Sequence, residues 1–456
     1  MTRTPNSLEA RDIESVLHPA TNFKRLNELG PLVLDRAKGV FVYDHHGRDY
    51  IEGMAGLWCT SLGYGVEEIA DAARTQMLSF SYSHLFSAKS HEPAIELAEK
   101  LKALAPVKMG KVFFGCSGSD ANDTQMKLLR YYNNAVGRPK KKTIISRKRG
   151  YHGVTLGSAS LTGLPVQHAL FDLPLDGVIH VSAPYYYRDA APGETEAHYA
   201  ARLAGELEQA ILAEGPETVA GFIAEPLMGV GGVLPPPADY FKRVREICSK
   251  HEIVMIDDEV ICGFERTGSP FGATTFGMIP DTMTVAKAMS SAYAPISAVL
   301  VPDWLYEAMI EPSAANGSFG HGFTYGGHPV SCAVALKTLE LMERWKIADH
   351  IADVGPHFQR RLRSFLDHPL VGDVRGVGLI GAIELVADKK SKAQFSPLGP
   401  LGLAVDRACV DEGLIIRPLG DTIAFCPPLV ITKEEIDELF ERFGRALATA
   451  TKGAGR

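Results

Sequence analysis

The sequence predicts an α/β protein in which a large domain, built on a mostly parallel sheet flanked by helices, is joined to a smaller α+β domain. Helix-like and short apolar segments alternate from about residue 67 onward, the pattern of a parallel sheet covered by helices. A chain of 456 residues is too long to fold around a single small core. Its composition, with 46% hydrophobic and 22% charged residues, is that of an ordinary globular protein. We expect residues 67–330 to form the large domain, and residues 1–66 and 331–456 to form the small one.

Each part of this division has its own signals. Short apolar stretches on both sides of the turn HHGRD predict a small antiparallel sheet between residues 31 and 56. The candidate strands of the large domain are KVFFG, KTIIS, GFIAE, IVMIDD, TMTVAK and SAVLV. Beyond residue 330, the helix VSCAVALKTLELMER precedes the strands VRGVGLIGAIELV and LIIRPLGDTIAFC and a final helix, KEEIDELFERFGRAL. In a parallel sheet, functional residues collect where the strands end.

Charge and cysteine usage weigh against several classes of protein. The net charge of −7 disfavours a nucleic-acid partner. Seven scattered cysteines without a C-x-x-C pair indicate neither a disulfide framework nor a zinc site, and they suit a reducing compartment. The amino terminus has no apolar signal core, and no apolar run approaches the ~20 residues that span a bilayer. We expect a cytoplasmic protein without membrane association.

Two segments have residues suited to a flat, anionic ligand. In GCSGSDANDT, Ser117, Gly118 and Ser119 open a helix whose N–H groups and dipole attract anions, although a plain N-cap explains one serine equally well. The segment lacks the lysine of a P-loop and the spacing of a dinucleotide fingerprint, so ATP and NAD fit it poorly. In RGYHGVT, Tyr151 and His152 follow the strand KTIIS in a glycine-flanked turn. They could stack on a heteroaromatic ring or simply be core aromatics.

Two strand ends carry charged side chains in apolar surroundings. In IVMIDDEV, Asp257, Asp258 and Glu259 are adjacent, which is costly unless they are paired with a cation or neutralised. A metal is one solution, although no second ligand cluster lies at suitable spacing; a pyridinium nitrogen held protonated by an aspartate is another. Lys287 ends the apolar strand TMTVAK. Most lysines are solvated, but one among apolar neighbours can have a lowered pKa and act as a nucleophile and general base.

Eight segments, in order along nearly the whole chain, resemble blocks of the class III, or omega, aminotransferases, which depend on pyridoxal 5'-phosphate and have fold type I. The segments are GMAGLWCTSLGYG, SGSDANDT, RGYHGVT, AEPLMGVGG, DDEVICGF, VAKAMSS, GFTYGGHP and RGVGLIGAIEL. The chain is therefore similar to omega-amino acid and amine:pyruvate transaminases. The resemblance implies an enzyme that uses pyridoxal 5'-phosphate, with pyridoxamine 5'-phosphate as the intermediate form and no metal.

The resemblance also implies which residues contact the cofactor. They are Lys287 as the Schiff-base lysine, Asp258 on the pyridine nitrogen, Ser117, Gly118 and Ser119 around the phosphate, Tyr151 stacked on the ring with His152 beside it, Val260 on the opposite face, Glu225 near the ring, and Thr324 on the phosphate of the neighbouring subunit. Lys287 and Asp258 are the expected catalytic residues. A contribution from Thr324 across subunits would make the active site a property of a homodimer, and pairing of dimers into tetramers stays open.

For the substrate, the resemblance implies that Arg417 binds the carboxylate of a keto acid and swings away for an uncharged amine. Leu57, Trp58 and Phe86 are expected as apolar walls near Tyr151, which suits aryl-alkyl amines or long omega-amino acids. One departure is Glu265, which stands where relatives have the second glycine of G-F-G-R-T-G. The turn is expected to differ if that position needs a positive φ.

The expected activity is ping-pong transfer of an amino group from a primary amine or omega-amino acid to a keto acid, with pyruvate as the acceptor. An aminomutase or decarboxylase of the same fold could use the same cofactor residues. A catalytically silent binding protein and a metal-dependent hydrolase built on Asp257, Asp258 and Glu259 are the alternatives from other classes.

Overall fold

The computed structural model describes residues 6–452. The strands are β1 (Leu34–Lys38), β2 (Phe41–Asp44), β3 (Asp49–Glu52), β4 (Lys111–Gly115), β5 (Thr143–Arg147), β6 (Val178–Val181), β7 (Val219–Ala224), β8 (Val254–Asp258), β9 (Thr282–Val285), β10 (Ser297–Val301), β11 (Val371–Val377), β12 (Ile380–Leu385), β13 (Leu414–Ile415), β14 (Arg417–Leu419) and β15 (Thr422–Phe425).

The α-helices are α1 (Leu8–Ser15), α2 (Phe23–Leu29), α3 (Ala55–Trp58, a single kinked turn), α4 (Glu67–Ser79), α5 (Glu92–Leu104), α6 (Gly118–Ala135), α7 (Leu156–Leu161), α8 (Pro165–His168), α9 (Tyr186–Asp189), α10 (Glu196–Glu214), α11 (Tyr240–Lys250), α12 (Gly272–Phe276), α13 (Asp303–Ala315), α14 (Pro329–Arg344), α15 (Ile347–Arg363), α16 (Pro400–Asp411) and α17 (Lys433–Ala450). Short 3-10 segments span Lys287–Ser290 and Ser364–Asp367.

The central sheet confirms the predicted fold class. Its strand order is β4-β10-β9-β8-β7-β5-β6, and the neighbours from β9 to β6 are parallel while β10 runs antiparallel to both of its neighbours. Every residue of β5, β7, β8, β9 and β10 is buried, as expected for strands covered by helices on both faces. All six predicted strands are present. The edge strand β6 was not predicted, because its four residues, three of them only partly buried, give too short an apolar signal.

Two smaller sheets flank this core. The predicted antiparallel sheet near the amino terminus is confirmed as β1-β2-β3, and β13, from near the carboxyl end, joins it in parallel beside β3. The second sheet, β11-β12-β15-β14, is antiparallel. The division at residues 66/67 and 330/331 stays a prediction, and residues 1–5 and 453–456 of its outer segments lie outside the described part of the chain. Within residues 6–452, no helix is both long enough and apolar enough to cross a membrane.

Strand register brings the functional strand ends together. Asp257 of β8 pairs with Ala224 of β7 on one side, and Asp258 pairs with Thr284 of β9 on the other. Glu225 follows β7 directly, and Lys287 lies three residues beyond Thr284. Since these strands are parallel, the side chains of Glu225, Asp258 and Lys287 emerge at the same edge of the sheet.

Glu265, which stands where relatives have glycine, lies in a strained turn after β8. Phe264 and Glu265 have φ values of +61° and +73°, in the left-handed region that glycine adopts freely. One carboxylate oxygen of Glu265 is buried without a hydrogen-bond partner, and burial raises the pKa of this carboxyl. Glu265 therefore occupies a backbone conformation that favours glycine, with part of its carboxyl buried and unpaired.

Replacing Glu265 with glycine should stabilise the protein. Relief of the left-handed strain and of the unpaired carboxyl should raise the free energy of unfolding by about 1 kcal/mol, measured by chemical denaturation. Glu265→Gln is the matched control, because it keeps the strained backbone and should gain less. A glycine variant less stable than the parent would show that the Glu265 side chain stabilises the turn.

Candidate active site

The carboxyl ends of the parallel strands border a cavity of about 640 Å³, including its open mouth. The predicted site residues that line it are Leu57, Trp58, Gly118, Ser119, Tyr151, His152, Glu225, Asp258, Val260, Lys287 and Arg417. Residues that the sequence did not single out also line it: Asn122, Gly153, Val230 and Ile261. The structure thus places most of the predicted constellation around one space.

Ser117 is the N-cap of α6 and is not part of the cavity lining. Its Oγ accepts the N–H of Asp120, whose carboxylate in turn accepts the N–H of Ser117, forming a capping box. The N–H groups of Gly118 and Ser119, the first two residues of the helix, donate to no acceptor among residues 6–452. A pair of unpaired donors at a helix N-terminus, both in residues that line the cavity, is suited to bind an anion.

Asp258 lies at the centre of a buried hydrogen-bond group. Its Oδ2 accepts from Asn122 Nδ2 at 2.7 Å and faces His152 Nδ1 at 2.8 Å, while its Oδ1 accepts the N–H of Val260 at 3.1 Å. Asp258 is 3% exposed, and no lysine or arginine among the described residues forms an ion pair with it. A buried carboxylate held by such donors suits a cationic ring nitrogen in the cavity.

Glu225 organises two loops at the cavity wall. Its Oε1 accepts the N–H of Tyr151 at 3.0 Å, and its Oε2 accepts the N–H of Gly229 at 2.9 Å. Burial raises the pKa of Glu225, and these N–H groups oppose that shift. The side chain therefore fixes the loop that presents Tyr151 and the loop that presents Val230.

Lys287 follows β9 after one residue and has a φ of +48°, which is strained for a non-glycine residue. Burial lowers the pKa of its amine, and the nearby carboxylates of Asp258 and Glu225 oppose that shift. A strained backbone and a lowered pKa at a cavity wall are typical of a reactive lysine.

The outer part of the cavity combines apolar and cationic side chains. Trp58 is 2% exposed, whereas Leu57 is 53% exposed at the mouth. Arg417 faces Tyr151, and burial lowers the pKa of its guanidinium. Among residues 6–452, no carboxylate forms an ion pair with Arg417, so its charge is open to a ligand.

Phe86 and Thr324 lie away from this cavity but close to the same segment. A Cβ on Gly322 would come within 2.6 Å of the Phe86 ring, and Tyr82 donates its hydroxyl to the carbonyl of Thr324 at 2.7 Å. Both Phe86 and Thr324 are exposed. The chain's own fold does not bring either residue to its own cavity.

A family model for aminotransferase class-III matches residues 24–447. The chain belongs to the class III aminotransferases. It is 46% identical over 438 residues to the mitochondrial gamma aminobutyrate transaminase 1 of Solanum lycopersicum, covering 96% of this chain and 85% of that one. It is 51% identical, with a TM-score of 0.97, to the omega transaminase from Pseudomonas jessenii in complex with PMP, covering 98% of this chain and 99% of that one. The same identity and TM-score, with 98% and 100% coverage, are found for a thermostable omega transaminase variant, W58M/F86L/R417L, engineered for asymmetric synthesis of enantiopure bulky amines.

Class III aminotransferases use pyridoxal 5'-phosphate, and the cavity of this family member fits that cofactor. The unpaired N–H groups of Gly118 and Ser119 suit its phosphate, and the buried carboxylate of Asp258 suits its ring nitrogen. Position 118 has little room for a side chain, since a Cβ there would lie 3.0 Å from the Val260 methyls.

Asn122 is the clearest site residue that the sequence did not reveal. It lies four residues after Gly118 on α6, and therefore on the same helix face. Besides Asp258, its amide donates to the carbonyl of His152 at 2.7 Å. Helical spacing from the predicted anion site was the signal that could have identified it.

The carboxylates that flank Asp258 in sequence have a different role. Asp257 and Glu259 are fully buried, and Glu259 accepts the N–H groups of Gly272 and Ala273 at the start of α12. Burial raises the pKa of both carboxyls; the charges of Glu259 and Asp258 add to the shift of Asp257, whereas a hydrogen bond from Asp257 opposes the shift of Glu259, so the pair retains a proton that it would release in water. The costly run of three carboxylates is thus resolved by neutralisation on one side and by hydrogen bonds on the other.

Replacing Asp257 with asparagine should change how stability depends on pH. Because the folded-state pKa of these carboxyls is raised, their stabilisation is complete below the unfolded pKa and is lost as the pH rises through the folded value. The variant should therefore gain about 1 kcal/mol or more relative to the parent between about pH 5 and about pH 8, measured by urea unfolding. A stability difference that stays constant over this range would contradict the shared proton.

Proposed function

We propose that this class III aminotransferase moves the amino group of a primary amine or an omega-amino acid to a keto acid, with pyruvate as the acceptor, in a ping-pong sequence. The observation that supports it most is the juxtaposition of Arg417 with apolar walls in one cavity. An unpaired guanidinium suits the carboxylate of a keto acid, and Leu57, Trp58 and Val230 suit an uncharged amine substituent.

Under this proposal, residues at the strand ends of the central sheet and at the start of α6 would hold the cofactor. Gly118 and Ser119 would bind its phosphate through their N–H groups, Asp258 would accept from its ring nitrogen, and Lys287 would supply the amine that bonds to its aldehyde. When bound, the protonated ring stabilises negative charge on the substrate carbon that loses a proton. His152 and Asn122 keep the Asp258 carboxylate oriented, which preserves the proton on the ring nitrogen.

Lys287 is the proposed general base and acid. Its lowered pKa increases the fraction of neutral amine, which is the form that can take a proton from the substrate carbon. Lys287 lines the same cavity as Glu225 and Asp258, whose carboxylates oppose the lowering of its pKa. The Nζ atom that has taken this proton can also donate it in the following step, so one side chain acts as base and then as acid.

Arg417 is the proposed means by which one cavity accepts two kinds of substrate. Its backbone is fixed in β14 by pairing with Ala424 of β15, but its long side chain has no ion-pair partner among the described residues. It can bind a carboxylate in one half-reaction and move aside in the other. The engineered relative for bulky amines carries changes described as W58M, F86L and R417L, the same residue types and numbers as Trp58, Phe86 and Arg417 here.

We further propose a homodimer whose active sites each use residues of both subunits. Phe86 and Thr324 lie together on an exposed surface, where a second copy of the chain would bring them to the other cavity. Thr324 would reach the partner's cofactor phosphate, and Phe86 would complete the apolar wall. A cytoplasmic location is proposed from the cysteines, all seven of which are free thiols, five of them buried.

The first test of this function is Lys287→Ala with 1-phenylethylamine and pyruvate as substrates. Loss of the proton-transferring amine should lower kcat by about 10³-fold or more, while the variant keeps the fold and the sedimentation of the parent. Alanine formation is the measurement, with cofactor absorbance as a check that the cavity still binds. Substantial turnover by the variant would contradict the role of Lys287 in proton transfer.

A second test separates the two substrates by charge. Replacing Arg417 with leucine should raise KM for pyruvate by about 10- to 100-fold, because a bidentate carboxylate contact is lost, and should leave KM for 1-phenylethylamine nearly unchanged. The two substrates serve as controls for each other within one variant. Equal effects on both KM values would assign Arg417 a structural role instead.

A further inference from the structure

The loop that carries Leu57 and Trp58 has an unusually strained backbone. Ala55 and Trp58 have φ values of +46° and +65°, and Gly56 between them has φ +65° and ψ −91°. Left-handed conformations at non-glycine residues persist only where their surroundings over-determine them. Some group outside the loop must therefore hold residues 55–59 in this course.

Glu52 is positioned to do so. It is the last residue of β3, it is 3% exposed, and its Oε1 accepts the N–H of Met54 at 3.0 Å. The N–H of Gly56 also faces this carboxyl. Burial raises the pKa of Glu52 to about 8, and the N–H groups of Met54 and Gly56 oppose that shift. A carboxyl that is costly to bury thus accepts the two N–H groups at the start of the strained loop.

Glu52 also lies where β3, the strand before Leu57 and Trp58, pairs with β13, the strand before Arg417. It pairs with Ile415 of β13, which leads within two residues to Arg417. The next residue, Gly53, donates its N–H to Ile415 and accepts the N–H of Cys426 at 2.7 Å. A Cβ at Gly53 would lie 2.8 Å from the Ile415 carbonyl oxygen, so the chains approach too closely for a side chain.

We propose that Glu52 is a positioning residue, whose buried carboxyl fixes the Ala55–Cys59 loop and thereby sets how the cavity accepts the amine donor. The inference rests on the proposed function only in taking Leu57 and Trp58 as the donor wall. Arg417 has its own anchor in the β14–β15 pairing. Loss of the Glu52 carboxyl should therefore raise KM for the amine donor and leave KM for the keto acid nearly unchanged.

The kinetic test compares Glu52→Gln and Glu52→Ala with the parent holoenzyme. Gln keeps one acceptor oxygen and Ala keeps none, so KM for 1-phenylethylamine should rise in the order Glu, Gln, Ala, reaching about 10-fold. KM for pyruvate should stay within about twofold. Unchanged donor KM in both variants, or equal changes for both substrates, would overturn the proposal; if Glu52→Ala does not fold, Glu52→Gln alone decides it.

Asp44 offers a matched control. Its buried carboxylate also accepts two backbone N–H groups, those of His46 and Arg48, but in a turn that contributes nothing to the cavity lining. Asp44→Asn should lower stability without separating the two KM values. A donor-specific effect in this control would show that any weakened turn of the small sheet is enough, and would overturn a specific role for Glu52.

Tryptophan fluorescence tests the loop without any turnover. Trp58 is buried, whereas the other two tryptophans, Trp304 and Trp345, are 41% and 38% exposed. Release of the loop in the Glu52 variants should shift the emission to longer wavelength, and the shift should vanish when Trp58 is also replaced by Phe. If the parent shows no amine:pyruvate activity, the proposed function fails, while the absence of this shift in Glu52→Ala would overturn the positioning role.

Discussion

The active site depends on one buried carboxylate, that of Asp258, which three elements hold in place. β8 supplies the residue, α6 supplies the Asn122 amide, and the loop after β5 supplies His152. A carboxylate in this position is costly unless donors surround it, so the three elements must meet closely before the site can exist. The same contacts place Gly118 at the start of α6 and Tyr151 beside His152. The geometry of the anion site and of the ring site therefore follows from one hydrogen-bond group.

Around this centre, neighbouring charges are kept apart by assigning each a different environment. Asp257 and Glu259 retain a proton between them and are directed away from the cavity, and Glu225 is occupied by two backbone N–H groups. Lys287 is the basic group near these acids; burial lowers its pKa, and the carboxylates of Asp258 and Glu225 oppose that shift. Because desolvation acts on every group in the strand-end cluster, the hydrogen-bond partners decide which one keeps its charge.

The residues proposed to face the substrate come from other parts of the chain than those proposed to hold the cofactor. The large parallel sheet provides the residues proposed to bind cofactor, whereas the amino-terminal segment provides Leu57 and Trp58 and the carboxyl-terminal segment provides Arg417. These two segments are joined by the parallel pairing of β3 with β13, which ends at Glu52. Such an arrangement lets the substrate wall vary while the buried hydrogen-bond group around Asp258 stays constant.

The sequence by itself determined the α/β class, six strands of the central sheet, and eleven of the residues that line the cavity, because apolar periodicity and ordered motifs are local signals. Only the tertiary structure decided the rest. In the folded chain Ser117 is a helix cap, and Asn122 is a hydrogen-bond partner of Asp258. Phe86 and Thr324 lie on an exposed surface away from the chain's own cavity. Which donor is left unpaired, and which carboxyl keeps a proton, depends on partners distant in sequence. No local pattern contains that information, since burial and hydrogen bonding are set when the strands and helices pack.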